Sequence, residues 1–537
     1  MLKQELGHIV GFKIKFIPVY PVILECKNVF CMKGFVIIIL SCLLFSFYTS
    51  AQQIVFSEPE KEDLRDMNFE ILGKVGKNIL VFHDVKWKYA VNVYNDSMQL
   101  IEKVEADFFP KKTFNVDFIA YSDYVYLVYQ YQQRSTLFCM AAKIGADGKK
   151  IGEPVQLDTT HVGMMGDNKI YSLVFSEDKK KVMVFKVQRR DDQFNFVTLL
   201  YDNQFQLQHK SRLNVDYNDR GDIYSDFLLD NEGNLLFAGS VDKGIRNDPK
   251  SLYLIVKNAQ QDSFSKKRFD LKEAYLDDVK IKVDNVNKKY LLNTFYYTER
   301  RGNIEGLFTA VWDVQGDSSY VNTFTALSDS LRNIVKASGN GKFAFNDFFI
   351  RNIILKKDGS YILTAEDFSS QTSGFNNGWN RYDYLYNSPA FNNYYDYYYF
   401  NNGYGGFYRP FGSFANQSVR YYYDNVLVLS VSNTGVPEWA EVIHKQQVSD
   451  DNDNYMSYGL FNTGGGVHFL FNDISKRDKL LSVNIITPDG KSKRNPTIKT
   501  YEREYEFMPR YCKQVGARQV IIPCTYRSQI CFAKIDF

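Results

Sequence analysis

Cysteine is scarce in this chain: seven in 537 residues, of which only Cys139, Cys512, Cys524 and Cys531 lie beyond residue 51. So few cannot staple a chain of this length, so a disulfide scaffold is excluded and stability must come from a core. A long apolar run is also missing. The longest, from Phe35 to about Tyr48, falls short of the ~20 residues that a helix needs to cross a bilayer. Nor is there an excess of one charge. Residues 1–51 hold five Lys against two Glu, which leaves 60 basic and 60 acidic side chains in the rest. A body without net charge has no overall field to draw in nucleic acid or an anionic membrane, so nucleic acid is not an expected partner.

What is present is a large stock of core-forming side chains, 45% hydrophobic and 16% aromatic, with 39 Tyr and 43 Phe. Global disorder is thereby excluded. From Met32 the chain reads MKGFVIIILSCLLFSFYTSAQQ: one Lys, a short apolar run, then Thr49, Ser50 and Ala51 in cleavage spacing. This order predicts a secretory signal peptide over 32–51. Residues 1–31 are then an upstream extension outside the fold. A lipid-acceptor reading of Cys42 is weaker, because LLFSFY after it continues the apolar run. The expected product is an exported protein of the periplasm, the outer membrane or the cell surface, with no transmembrane span in the mature chain.

From residue 52 onward two kinds of hairpin alternate. One has two apolar runs around a tight polar turn, as in DFLLDNEGNLLFAGS, NIILKKDGSYILTAE and YGLFNTGGGVHFLFN, with Gly233, Gly359 and Gly464 to Gly466 at the turns. The other pairs an apolar strand with a more polar one, as in FVTLLYDNQFQLQHKSRLNV and LFTAVWDVQGDSSYVNTF. Units begin near Phe69, Val116, Asp167, Asp222, Asp278, Phe348, Tyr455 and Tyr505. A four-stranded unit repeated at this spacing predicts an all-β, single β-propeller of eight four-stranded blades, with seven as the alternative count. The eighth unit stops at ICFAKIDF, one strand short, and QQIVFSE is an orphan strand near the start. Because an unpaired edge invites association, residues 53–57 are expected to close the ring as the missing outer strand. The competing reading leaves 53–66 as a loose terminus.

Segments such as NVLVLSVSNTGVPEWAEV, with Trp439 after a Gly turn, resemble the repeats of exported bacterial propellers, distantly like the quinoprotein type, over most of the chain. The resemblance implies a propeller but no specific functional family. Quinoprotein dehydrogenases carry a tryptophan docking motif in nearly every blade, whereas Trp87, Trp312, Trp379 and Trp439 are the only tryptophans here. A ring without a quinone or other cofactor is therefore expected.

Catalytic and phosphate-binding motifs are missing: no HExxH, GxSxG, P-loop or strand-linked GxGxxG occurs. His83, His161, His209, His444 and His468 fall in separate repeats without ligand spacing, and His468 reads as structural. In SDDNDNY, Asp450, Asp451 and Asp453 form a weak Ca²⁺ candidate that lacks the Gly and distal Glu of a calcium loop, so a solvated acidic turn is expected. A two-residue turn at Arg527 and Ser528 would set Cys524 opposite Cys531, either as a disulfide or as two buried thiols.

The feature that departs most from the repeat is a Tyr/Asn/Gly-rich insert at 369–424, between strands B and C of blade six, holding 13 of the 39 Tyr. B-to-C loops share a rim with the D-to-A connections, so the insert shares a face with 328–342, where LRNIVKA predicts a short helix, and with 449–455. Aromatic rings with polar handles suit recognition. Trp379, Tyr394, Tyr395, Tyr397, Tyr398, Tyr399, Tyr404, Tyr408 and Arg409 are the expected partner-binding residues. The expected function is a non-catalytic binding or scaffold propeller that recognises an envelope protein or glycan. The alternative is a hydrolase or lyase acting on carbohydrate or peptide in the central channel.

Overall fold

In the computed structural model the chain divides into residues 1–51 and a second unit, Gln52–Phe537. The structure describes residues 53–61, 67–163, 170–190, 193–216, 223–242, 249–299, 302–314, 320–338, 345–372, 419–450, 452–475, 478–495 and 504–537. The second unit is an all-β propeller of eight antiparallel sheets. The predicted signal peptide and the extension before it lie outside the described residues. Among the described residues no helix is long and apolar enough to cross a membrane.

Blades 1 to 7 are meanders, strand A to strand D in chain order. Blade 1 shows the pattern: Met67–Val75, Asn78–Val85, Lys88–Tyr94 and Leu100–Glu105. Its middle strands are buried along nearly their whole length while the outer strand is exposed. That gradient is why strands B and C read as continuous apolar runs and strand D as polar alternation. The A-to-B turns need a left-handed residue, and Gly233 (φ +94°) and Gly359 (φ +80°) supply it.

An apolar cluster fills the interface between every adjacent pair of blades, the eighth against the first included. There Met67, Phe69 and Val81 of blade 1 pack with Met508, Ile521, Ile530 and Phe532 of blade 8. Eight clusters for eight blades mean that the sheets close on themselves and leave no free face.

Closure uses the segment expected to make it. Gln53–Phe56 pairs antiparallel with Gln529–Asp536 as the outer strand of blade 8, Gln53 opposite Asp536 and Phe56 opposite Ala533. The chain then continues along the same strand, with Ser57 N donating to Phe532 O (2.8 Å) and Glu60 N to Ile530 O (2.8 Å). Glu60 inserts its carboxylate into a polar pocket of blade 1, where Oε1 accepts from Asn92 Nδ2 and Tyr94 Oη (2.9 Å each) and lies 3.4 Å from His83 Nε2. The sequence reading missed this second latch, since a lone Glu after a strand carries no pattern.

The two rims differ. On the A-to-B rim the turns of blades 3, 4 and 5 are laced together. Asn231 Oδ1 accepts from Asp178 N (3.2 Å), Asn285 Oδ1 accepts from Asn231 N (2.9 Å), and Asn285 Nδ2 donates to Glu177 Oε2 (2.9 Å). On the opposite rim sits helix α1, Asp329–Ser338, in the connection from blade 5 to blade 6. Ser328 Oγ caps its first turn by accepting from Leu331 N (3.3 Å), and Leu331 and Val335 face the core between the two blades.

Candidate functional site

Blade 6 departs from the others at the rim that carries α1. In blades 1, 2 and 8 strands B and C are joined by two-residue turns at 86–87, 134–135 and 527–528. In blade 6 strand B, Tyr361–Thr372, and strand C, Val419–Val431, run on past the last pairing of strand A, Phe348 with Asp367. Their ladder continues from Phe368 opposite Tyr423 to Thr372 opposite Val419. The ends of the predicted insert are thus part of a hairpin stalk, and 373–418 is what the stalk carries. A further strand, Gln447–Asp450, pairs with Arg420 to Tyr423 on the stalk's outer side. Trp379, Tyr394, Tyr395, Tyr397, Tyr398, Tyr399, Tyr404, Tyr408 and Arg409 lie outside the described residues.

The stalk stands on buried charge. Glu366, fully buried, holds an ion pair with the buried Lys445 (Oε1 to Nζ 2.9 Å), accepts from Ser457 Oγ at Oε2 (2.6 Å) and lies 3.4 Å from Arg351 Nε. Lys445 also donates to Tyr423 O (3.0 Å) and Gln447 Oε1 (3.1 Å). Burial pulls the Lys445 ammonium below its ordinary value, and Glu366 opposes that fall. Gln447 in turn donates to Asn472 O of blade 7 (2.8 Å) and accepts from Ser457 N (2.8 Å). A buried acid, a buried base and an amide therefore tie blade 6, the stalk and blade 7 into one network.

A second pair lies on the stalk's flank. Arg510, from the 3₁₀ turn Pro509–Tyr511, holds Asp453 Oδ2 at 3.0 Å, and Tyr423 Oη donates to the same oxygen (2.6 Å). Burial would raise the Asp453 carboxyl, yet the guanidinium keeps it below its ordinary value. Arg420 and Asp450 form an exposed two-point pair (2.7 and 3.3 Å). The expected solvated acidic turn is therefore half built in: of the Ca²⁺ candidate residues, Asp450 faces Arg420, Asp453 faces Arg510, and Asp451 lies outside the described residues. Among the described residues no group of three or more His, Cys, Asp or Glu side chains is placed to hold a metal ion.

Asp367 sits where the ladder bulges, opposite Asp424 and Asn425. Burial first, then the charges of Asp347 and Asp424, push its carboxyl up to about 8. This is a carboxylic acid that keeps its proton at neutral pH. Glu366 and Asp367 had a visible signal in the sequence, two adjacent acids closing the apolar run YILTA. Lys445, Gln447 and Arg510 had none, because they meet the acids only through the fold.

Elsewhere His468 is buried and stacked on Phe461 (4.4 Å), with Nε2 2.9 Å from Thr463 Oγ1, and burial lowers it to about 4. It is a packing residue in strand B of blade 7, Val467–Ser475. Cys524 lies directly opposite Cys531, their Sγ atoms 2.9 Å apart, and both are buried free thiols.

No protein-family model matches the sequence, and no curated protein is significantly similar to it. Solved structures that align with it include a prolyl endopeptidase, 9% identical over 87% of this chain and 55% of that chain, TM-score 0.40. Prolyl oligopeptidase B from Galerina marginata is 8% identical over 86% of this chain and 56% of its own, TM-score 0.39. A polysaccharide lyase is 12% identical over 78% of this chain and 89% of its own, TM-score 0.36. This chain spans about half the length of the two prolyl peptidases. Likenesses this distant assign no role to any residue.

Proposed function

We propose that the protein is a binding propeller whose rim at blades 5 to 7 presents the Tyr-rich segment 373–418 to an envelope protein or glycan. The observation that carries this reading is the stalk. A loop of no consequence needs no three-stranded stem, yet here strands B and C are prolonged, flanked by an added strand and founded on a buried Glu366–Lys445 pair. Buried ion pairs are costly to desolvate and seldom repay the cost in stability, so their use beneath one loop argues for holding that loop in a fixed place. Aromatic side chains in the segment give apolar area with a hydrogen-bonding tip, the composition that interfaces favour.

Deletion of 374–417, joined across the stalk, tests it. The shortened protein is expected to fold as before and to lose its crosslinked partner in the native envelope. Unchanged crosslinking would place the site elsewhere.

A second reading, an enzyme acting on carbohydrate or peptide, draws on Asp367, since a carboxyl held protonated beside other carboxylates is how a general acid is made. It requires activity that vanishes in Asp367→Asn and persists when 374–417 is deleted.

A further inference from the structure

Blade 8 holds a chemically reactive pair at its centre. Cys524 in strand B, Gln519–Tyr526, lies directly opposite Cys531 in strand C, Gln529–Asp536. Opposed residues of an antiparallel pair have their Cα atoms ~4.5–5.5 Å apart, inside the span that a disulfide bridges. The two Sγ atoms stand 2.9 Å apart, and each thiol also reaches the other residue's carbonyl oxygen (3.5 and 3.3 Å). Two thiols so placed need only an oxidant and a path to it.

That path is closed. Both side chains are 0% exposed, inside the apolar cluster between blades 7 and 8. Part of their cover is the segment that closes the ring. Ile54 and Phe56 pack against this cluster, and Phe56 stacks on Tyr505 (centroids 4.1 Å) and lies 6.2 Å from Phe507, the residue paired with Cys524 on the other edge of strand B. The outer edge of strand C is clasped on both sides of Cys531: Ser57 N donates to Phe532 O (2.8 Å), Phe532 N to Ser57 Oγ (3.0 Å) and Glu60 N to Ile530 O (2.8 Å). Residues 53–60 therefore form a strap over the pair, and Glu60 buckles it to blade 1 through Asn92 and Tyr94. Burial, then the neighbouring Cys531 thiol, also pushes the Cys524 thiol well above its ordinary value. In the closed ring it holds little of the thiolate that reacts.

We propose that Cys524 and Cys531 are a redox-active dithiol gated by this strap, reactive while residues 53–60 are undocked and sealed in whichever state they hold when the ring closes. The oxidant is a small disulfide such as oxidised glutathione. One protein thiolate attacks it, forming a mixed disulfide and releasing one glutathione. The second attacks the protein sulfur of that mixed disulfide, forming the Cys524–Cys531 bond and releasing the other glutathione, so that two electrons and two protons pass from the protein to the two glutathione thiols. Reduction by an external dithiol runs the same steps in reverse. The state of the pair thus records the conditions under which the ring closed, independently of any partner at the rim.

The test adds oxidised glutathione to the reduced, folded full chain, quenches samples in acid and reads the bond by mass spectrometry as the tryptic peptides 519–527 and 528–534 joined together. The parent is expected to oxidise slowly. Glu60→Ala, which unbuckles the strap, should hasten oxidation about tenfold, and deletion of 53–57 at least as much. Lys445→Met, which disturbs the foundation of the stalk in blade 6, should leave the rate unchanged and so separates release of the strap from general loosening of the ring. Reduction of the oxidised protein by dithiothreitol should rank the variants in the same order. The proposal is overturned by equal rates in the parent and both strap variants, by equal acceleration in Lys445→Met, or by a bond that never forms in the deletion.

Discussion

Replacing Lys445 with Met removes a buried cation from Glu366 while keeping the volume of the side chain. Glu366 would keep the Ser457 hydroxyl at 2.6 Å and Arg351 at 3.4 Å, but Arg351 is 38% exposed and well hydrated. Breaking one side of a buried pair costs about 3–5 kcal/mol, and the remaining donors set the expectation at the lower end, about 3. Melting reads this poorly. With an unfolding entropy of about 2 cal/mol/K per residue over the roughly 480 residues of the ring, each kcal/mol moves Tm by only about 1 °C. Hydrogen exchange reads it locally. A loss of about 3 kcal/mol in the foundation should speed exchange of the stalk amides, such as Tyr421 N, by about two orders of magnitude and leave blades 2 and 3 unchanged. The double variant Glu366→Gln/Lys445→Met, which retires the charge and keeps a partner for Ser457, should recover most of the loss. Stalk exchange in Lys445→Met equal to that of the parent would refute the argument that this pair anchors the stalk.

Three further outcomes follow from other sites. Deleting 53–57 should lower Tm by several degrees, and Glu60→Ala by about 1–3 °C through the donors it strands on Asn92 and Tyr94; unchanged melting in the deletion would contradict ring closure by this strand. Asp367 has a folded value near 8, above its unfolded one, so the stability it confers is complete below pH ~4 and is lost as pH rises towards 8, at no more than about 1.4 kcal/mol per pH unit; Asp367→Asn should flatten that slope in chemical denaturation, and an unaltered slope would remove Asp367 as its source. Oxidised glutathione should convert Cys524 and Cys531 to a disulfide by thiol exchange, so that titration in denaturant finds two thiols fewer while Cys139 and Cys512 remain; a full thiol count after long exposure would show the pair to be sealed.

The ring itself was legible because blade formation is written locally. The A-to-B turns announce themselves through Gly233 and Gly359, and the buried middle strands through apolar runs that no solvent face interrupts. Closure by residues 53–57 was legible as well, since a blade one strand short and an orphan strand elsewhere have one economical solution. The candidate site was legible only as a composition. Glu366 and Asp367, two acids closing an apolar strand, went unremarked in the sequence reading; their partners Lys445, Ser457 and Asp424 come from other segments, and spacing along a chain does not encode contacts across a sheet. Trp87 was counted as one tryptophan among four; that it is exposed at a left-handed position (φ +68°) of the blade 1 turn belongs to a backbone that its own residues do not favour.

Pairing Gln53–Phe56 with Gln529–Asp536 also sets a clock on folding. The outer strand of blade 8 precedes every other strand of the ring, so during synthesis it must wait, unpaired, while some 470 residues follow. Joining ends so distant carries a loop entropy that neighbouring hairpins never meet, although it grows only with the logarithm of the separation. Blades can form in succession as hairpins, but the interface between blade 8 and blade 1 is the last to be buried. Until then an apolar face and a strand edge stay open at both ends of the growing arc, the species most prone to associate with its own kind. Closure is thus the step that removes the last open face and edge, and the interval before it is when this chain most needs protection.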